Sequence, residues 1–126
     1  MNNIYSHSIS PSKIIRGEKA WTEAIDYIPL ITQKPLILGR SLSTRDTRSN
    51  LIEDLRNKQL NPINAELEYD CCEKDLDRVY KIAKNNCCDG LIAAGGGKVL
   101  DAGKLIANRL SVPCVTVPLS ASTCAG

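Results

Sequence analysis

Histidine is almost missing from this chain. His7 is the only one in 126 residues, and it stands in the N-terminal tail. No cluster of His, Asp and Glu is therefore available for a metal centre. Charge of one sign is missing too. Sixteen Lys and Arg against fourteen Asp and Glu leave a net charge of +2, too little for the basic footprint of a nucleic-acid-binding surface. No apolar run is long enough to span a bilayer, so no membrane partner is expected. Met1-Asn2-Asn3-Ile4-Tyr5-Ser6-His7 has no basic segment leading into an apolar one, so a secretory signal is not read there and a cytoplasmic setting is expected. Cys-x-x-Cys spacing is absent among the six cysteines, Cys71, Cys72, Cys87, Cys88, Cys114 and Cys124. In a cytoplasm these are reduced thiols. Cys71-Cys72 and Cys87-Cys88 bracket a helical pattern and so lie about 22 Å apart along it. They cannot share one metal ion and read as structural or incidental thiols.

What is present is the composition of an ordinary soluble domain, 43% hydrophobic and 24% charged, in a length that suits one domain spanning residues 1–126. Pro11 to Gly17 reads as a loop, a short strand and a turn. Ala20, Trp21, Ala24, Ile25 and Ile28 recur at helical spacing until Pro29 interrupts them. Pro35 to Gly39 is a short apolar strand, and Arg40 to Ser43 a loop. A helix starting near Thr44 turns Leu51, Ile52 and Leu55 inward. Pro62 to Leu67 is a weaker strand. Leu76, Val79, Tyr80 and Ala83 mark a helix ended by Asn85-Asn86. Leu91 to Ala94 is a strand, Val99 to Leu110 a helix, and Val112 to Val117 a last strand closed by Pro118.

Strict alternation of short apolar strands with helices predicts an α/β fold, a Rossmann-like parallel sheet with helices on both faces. Ligands of such sheets sit beyond the carboxyl ends of the strands. Three turns should lie there: Gly39-Arg40-Ser41, Gly95-Gly96-Gly97, and Leu119-Ser120-Ala121-Ser122-Thr123.

The glycine triplet stands out. Between a strand and a helix it lets backbone N–H groups approach a ligand with no side chain in the way, and the helix start offers unpaired donors and partial positive charge to a phosphate. It is not a P-loop, because Ile92 occupies the required first glycine position and Val99 follows Lys98. Nor is it the standard dinucleotide fingerprint, because Leu100 stands where the third glycine belongs. A triplet alone could be no more than a tight turn. Asp101 and Lys104 share a helix face, with Lys98 one turn earlier. Either they form a solvated ion-paired face, or Lys98 neutralises phosphate while Asp101 and Lys104 shape the mouth of the site.

Gly-Gly-Gly-Lys-x-x-Asp-x-x-Lys after a strand, followed by Val117-Pro118-x-x-Ala121-Ser122-Thr123, resembles the glycerol dehydrogenase branch of the iron-containing alcohol dehydrogenases, a group also similar to dehydroquinate synthase and glycerol-1-phosphate dehydrogenase. Pro11-Ser12-Lys13 through Gly17 resembles the family's opening segment, and Tyr69-Asp70-Cys71 its Gly-Glu-Cys. The likeness covers nearly all of this chain but only the family's N-terminal half. It implies a nucleotide-binding domain that works with a helical second domain, whose aspartate and histidines hold zinc or iron, and a nicotinamide dinucleotide, NAD or NADP, as cofactor. It also implies a small alcohol or polyol as substrate. By that resemblance Gly95, Gly96, Gly97 and Lys98 would contact the pyrophosphate, Asp101 would stand near the nicotinamide, Leu119 and Ser120 would touch the cofactor, and Thr123 and Cys124 would lie near the substrate.

Three departures from the family pattern carry expectations. The acidic residue that binds the adenosine ribose in NAD-using members is replaced by Gly39, followed by Arg40 and Ser41, which favours NADP. Leu119 replaces a threonine, losing a hydroxyl donor. Cys124 replaces an aspartate near the substrate, which puts glycerol itself in doubt. The expected function is the NAD(P)-binding part of a metal-dependent alcohol or polyol dehydrogenase, inactive by itself. A nucleotide-binding module without turnover and a lyase resembling dehydroquinate synthase are the alternatives. Apolar surface that a second domain would cover predicts self-association, hence a possible homo-oligomer.

Overall fold

The computed structural model describes residues 20–68 and 72–119. In chain order these form α1 (Ala20–Ala24), β1 (Pro35–Gly39), α2 (Arg45–Asn57), β2 (Ile63–Glu66), α3 (Glu73–Asn85), β3 (Gly90–Gly95), α4 (Gly97–Leu110) and β4 (Cys114–Pro118). The four strands make one all-parallel sheet in the order β2-β1-β3-β4. The chain steps outward from β1 to β2, returns past β1 to β3, and continues to β4. A single crossover hand then requires α2 on one face and α3 and α4 on the other, and the core divides that way. Ile37, Leu55, Leu60 and Ile92 pack with Ile25 and Ile28 on the first face. Leu36, Leu38, Val79, Leu91, Ala93, Ala102 and Ile106 fill the second. β1 is buried on both sides, which is why its sequence is an unbroken apolar run.

The N-terminal helix departs from its spacing. The α-helix ends at Ala24, and Ile28–Leu30 forms a separate 3-10 turn that carries Pro29 at its start. Pro29 has no N–H and crowds the preceding turn, so the chain tightens before it. The bonds from Asp26 N–H to the Glu23 carbonyl and from Tyr27 N–H to that of Ala24 record this change. Both Ile25 and Ile28 stay buried.

Helix ends follow one device. Gln59, Cys87 and Ser111 adopt positive φ values of 67°, 57° and 58°. The next residue in each case donates its N–H back to a carbonyl five residues earlier: Leu60 to Leu55, Cys88 to Ala83 and Val112 to Ala107. These are left-handed caps that turn an apolar residue into the core. The helix expected to stop at Asn85-Asn86 does stop there, and Cys87 supplies the left-handed turn just beyond.

At the amino-terminal edge of the sheet, Asp89 accepts hydrogen bonds from the Thr32 hydroxyl and from the N–H groups of Gln33 and Lys34. Burial pushes its carboxyl up, but the bonds from Thr32, Lys34 and Gln33 outweigh this and hold it below the usual aspartate range. A native pKa lower than the unfolded one adds stability above the unfolded value, and that stability is lost as pH falls through the native one. Asp89→Asn should therefore lower the melting temperature near about pH 6, with the gap to wild type closing toward about pH 2.5. A gap that is the same at both values would show that the carboxylate's charge is not what holds the turn.

Candidate functional site at the carboxyl rim of the sheet

Register fixes what meets at the carboxyl edge. Gly39 lies opposite Glu66, Leu38 opposite Ala93, and Gly95 opposite Pro118. The turns after β1 and β3 therefore open on the same rim as the end of β4 at Leu119, and the β1–β3 pair is where strand order reverses. Gly39, Arg40, Ser41, Gly95, Gly96, Gly97, Lys98 and Leu119 are all brought to this rim or to its adjoining helix start. Ser120, Thr123 and Cys124 lie outside the described residues, as do Pro11 to Gly17 and Tyr69-Asp70-Cys71.

The glycine bend is built for approach. Gly95 closes β3, and its carbonyl accepts from the Leu119 N–H at 2.8 Å, tying the bend to the end of β4. A Cβ on Gly95 would meet the Val99 side chain at 3.0 Å, so the bend needs glycine to lie flat on the helix start. Gly96 is the N-cap of α4, its carbonyl taking the first helical bond from Leu100, and no side chain caps the helix. The N–H groups at Gly97 and Val99 belong to the first turn, where a helix has no internal acceptors to offer. Among the described residues, a Cβ at Gly96 or Gly97 would meet nothing within 4 Å. The bend thus presents main-chain donors to open space at the positive end of a helix of fourteen residues.

Asp101 and Lys104 are exposed on α4, and neither takes part in a salt bridge among the described residues. The ion-paired face allowed by their spacing does not form between them. Burial pushes the thiols of Cys88 and Cys114 up, which keeps them protonated and supports the structural reading of both. Among the described residues no group of three His, Cys, Asp or Glu side chains could hold a metal ion.

Two parts of the rim were hidden from residue spacing. The first is Arg48. Its guanidinium lies over Gly39, so close that a Cβ there would fall 2.0 Å from Nη1. Nη1 donates to Glu66 Oε2 at 3.1 Å and Nη2 to the Ser41 carbonyl at 2.8 Å. The same carbonyl accepts from the Thr44 hydroxyl, and the Ser41 hydroxyl accepts from the Ser43 N–H. Ser41 is therefore committed to holding its own loop. The second is the clip of Asp75 and Arg78. The fully buried Asp75 carboxylate accepts from the Glu68 N–H at 2.9 Å and from Arg78 at 2.8 Å. Arg78 also donates to the Glu66 carbonyl, fastening the end of β2 to α3. The only sequence signal for either is a charged residue at an inward helical position.

A family model described as iron-containing alcohol dehydrogenase matches residues 11–126. An uncharacterized oxidoreductase of Synechocystis sp. is 31% identical over 123 residues, which is 98% of this chain and 31% of that protein. A glycerol dehydrogenase of Escherichia coli O6:H1 is 28% identical over 90% of this chain and 31% of its own length. The crystal structure of a probable glycerol dehydrogenase from Sinorhizobium meliloti superposes with a TM-score of 0.66 at 25% identity, covering 83% of this chain and 27% of that one. The chain spans under a third of the length of each of these relatives.

Proposed function

The chain belongs to the iron-containing alcohol dehydrogenase family, and from that premise we propose that residues 1–126 are the N-terminal, nicotinamide-dinucleotide-binding part of a metal-dependent alcohol or polyol dehydrogenase. The observation that carries this reading is the bend at Gly95 to Gly97. It sits at the carboxyl rim beside the strand-order reversal, with no side chain capping the helix it opens. Oriented first-turn amides match a diphosphate, which offers acceptor oxygens and negative charge at that spot. The residues fit such a ligand, because the space over Gly96 and Gly97 is open. In this reading the N–H groups of Gly96, Gly97 and Val99 bind the diphosphate. Lys98 adds charge beside it, and Asp101 and Leu119 border the nicotinamide side. A bound nicotinamide would supply a hydride acceptor for the alcohol carbon.

The metal expected for the whole family does not fit the described residues, which lack a ligand cluster. By themselves they are expected to bind the dinucleotide without turnover.

Titration followed by amide NMR tests the reading. NAD or NADP should move the Gly96, Gly97 and Val99 amide resonances most, with Leu119 next and Asp89, on the opposite edge, still. Saturable binding that leaves the helix start unmoved would sink the assignment.

A further inference from the structure

The outer edge of β2 carries an arrangement that the diphosphate reading does not use. In a parallel ladder, alternate residues turn both main-chain groups toward the same neighbouring strand. The N–H groups of Asn61 and Leu67 bond the carbonyls of Gln33 and Gly39. Ile63 and Ala65, in step with them, face β1 as well. Pro62, Asn64, Glu66 and Glu68 therefore turn their main-chain groups outward, along an edge that no strand covers among the described residues.

Much of that edge is already occupied. Pro62 has no N–H to offer. The Glu66 carbonyl accepts from Arg78 Nη2, and the Glu68 N–H donates to Asp75 Oδ2 at 2.9 Å. Both caps come from α3, and each holds the other, because Arg78 Nη2 also donates to Asp75 Oδ1 at 2.8 Å. The guanidinium stands where a partner strand would place an N–H. Among the described residues, that leaves only Asn64 and the Glu66 N–H open to a newcomer.

Net charge does not defend this edge. Lysines of one sign commonly keep sheet edges apart, and β2 carries none. Around the open groove of about 470 Å³ beside it, Arg45, Arg48 and Arg78 are answered by Glu66, Glu68 and Asp75. A balanced edge does not repel its own copy, and a two-fold interface asks for just such self-complementarity. Capping of the main chain is then the barrier that remains.

We infer that the Asp75–Arg78 clip is an edge guard, which keeps a second copy of this chain from adding its own β2 to the sheet. The excluded arrangement is an antiparallel pair about a two-fold axis at Ala65. Asn64 would lie opposite Glu66 of the second copy, each such pair exchanging both its N–H and its carbonyl bonds. Half of those bonds need the Glu66 carbonyl, which Arg78 holds. The inference is independent of the dinucleotide reading.

Sedimentation equilibrium of the chain and its variants tests it. Arg78→Lys keeps a positive charge beside Asp75 but cannot reach Asp75 and the Glu66 carbonyl together. Its self-association should be about tenfold or more tighter than that of wild type, the worth of a pair of regained main-chain bonds. Asn64→Pro added to Arg78→Lys should return association to within about threefold of wild type, because proline removes an outward N–H and breaks no bond to β1. Amide exchange gives a second reading. In Arg78→Lys the Asn64 and Glu66 N–H groups should slow as protein concentration rises, whereas mere loosening would speed them at every concentration. Asp75→Asn, which keeps the shape but weakens the hold on Arg78, should move association the same way and carries the test if Arg78→Lys fails to fold. Unchanged association in the folded variant overturns the guard. So does tighter association that survives Asn64→Pro, since the copies would then meet on another surface.

Discussion

Gly103→Val should cost the domain about 3 kcal/mol and lower its melting temperature by roughly 10 °C. Gly103 faces β3 from the second turn of α4. A Cβ there would sit 2.5 Å from Ala93 Cβ and 3.1 Å from Leu91 Cδ2. Neither neighbour can yield. Ala93 is fully buried in a strand paired on both sides, and Leu91 is 1% exposed. The helix would have to lift off the sheet, and in a close-packed interior such overpacking usually costs 1–3 kcal/mol, more where backbone must move. Against a total of about 5–15 kcal/mol this is a large share. Gly96→Ala is the control, because its Cβ meets nothing within 4 Å and its melt should shift little. Thermal unfolding of the two variants decides the matter. Equal melting temperatures would mean that α4 does not ride as close to β3 as the packing of Ala93 indicates.

Gly103 also marks where residue spacing stops being informative. The strand Pro35 to Gly39 was legible to the residue, because a strand buried on both faces leaves an unbroken apolar run between a proline and a glycine. The alternation of elements gave the parallel sheet for a similar reason: each helix must cover a strand pair. Element ends were less legible. β3 includes Gly90 and Gly95 beyond its apolar run, and α4 begins at Gly97 because the Gly96 carbonyl receives the first helical bond. The caps at Gln59, Cys87 and Ser111 carry no glycine to announce them. Contacts set by register were not legible at all. Leu100 occupies the third position of the familiar dinucleotide motif, where a glycine would let a helix approach its strand. Gly103, one turn later, supplies that approach. Arg48 and Gly39 are nine residues apart and meet only because α2 folds back over β1. Glu66 joins them through strand pairing. The missing carboxylate at Gly39 could be seen in the chain, but the side chain that fills its place could not.

Gly97→Asp should separate binding from folding. A new carboxylate at the first position of α4 would stand where the diphosphate is proposed to lie. Two like charges about 5 Å apart repel by roughly 3 kcal/mol at an effective dielectric near 20, so NAD and NADP should both bind about a hundredfold more weakly. The fold has no reason to suffer. The side chain enters open space, the position is helical with negative φ, and an acidic group in the first turn gains about 0.3–1 kcal/mol from the helix dipole. The melting temperature should hold or rise slightly while affinity collapses, the opposite of what Gly103→Val does to stability. Gly97→Ala adds bulk without charge and should lose far less affinity, which isolates electrostatics from shape. The decisive result is the pair of numbers for Gly97→Asp. Wild-type affinity in a well-folded Gly97→Asp would mean that the anion sits elsewhere on the rim and that these amides are not its donors.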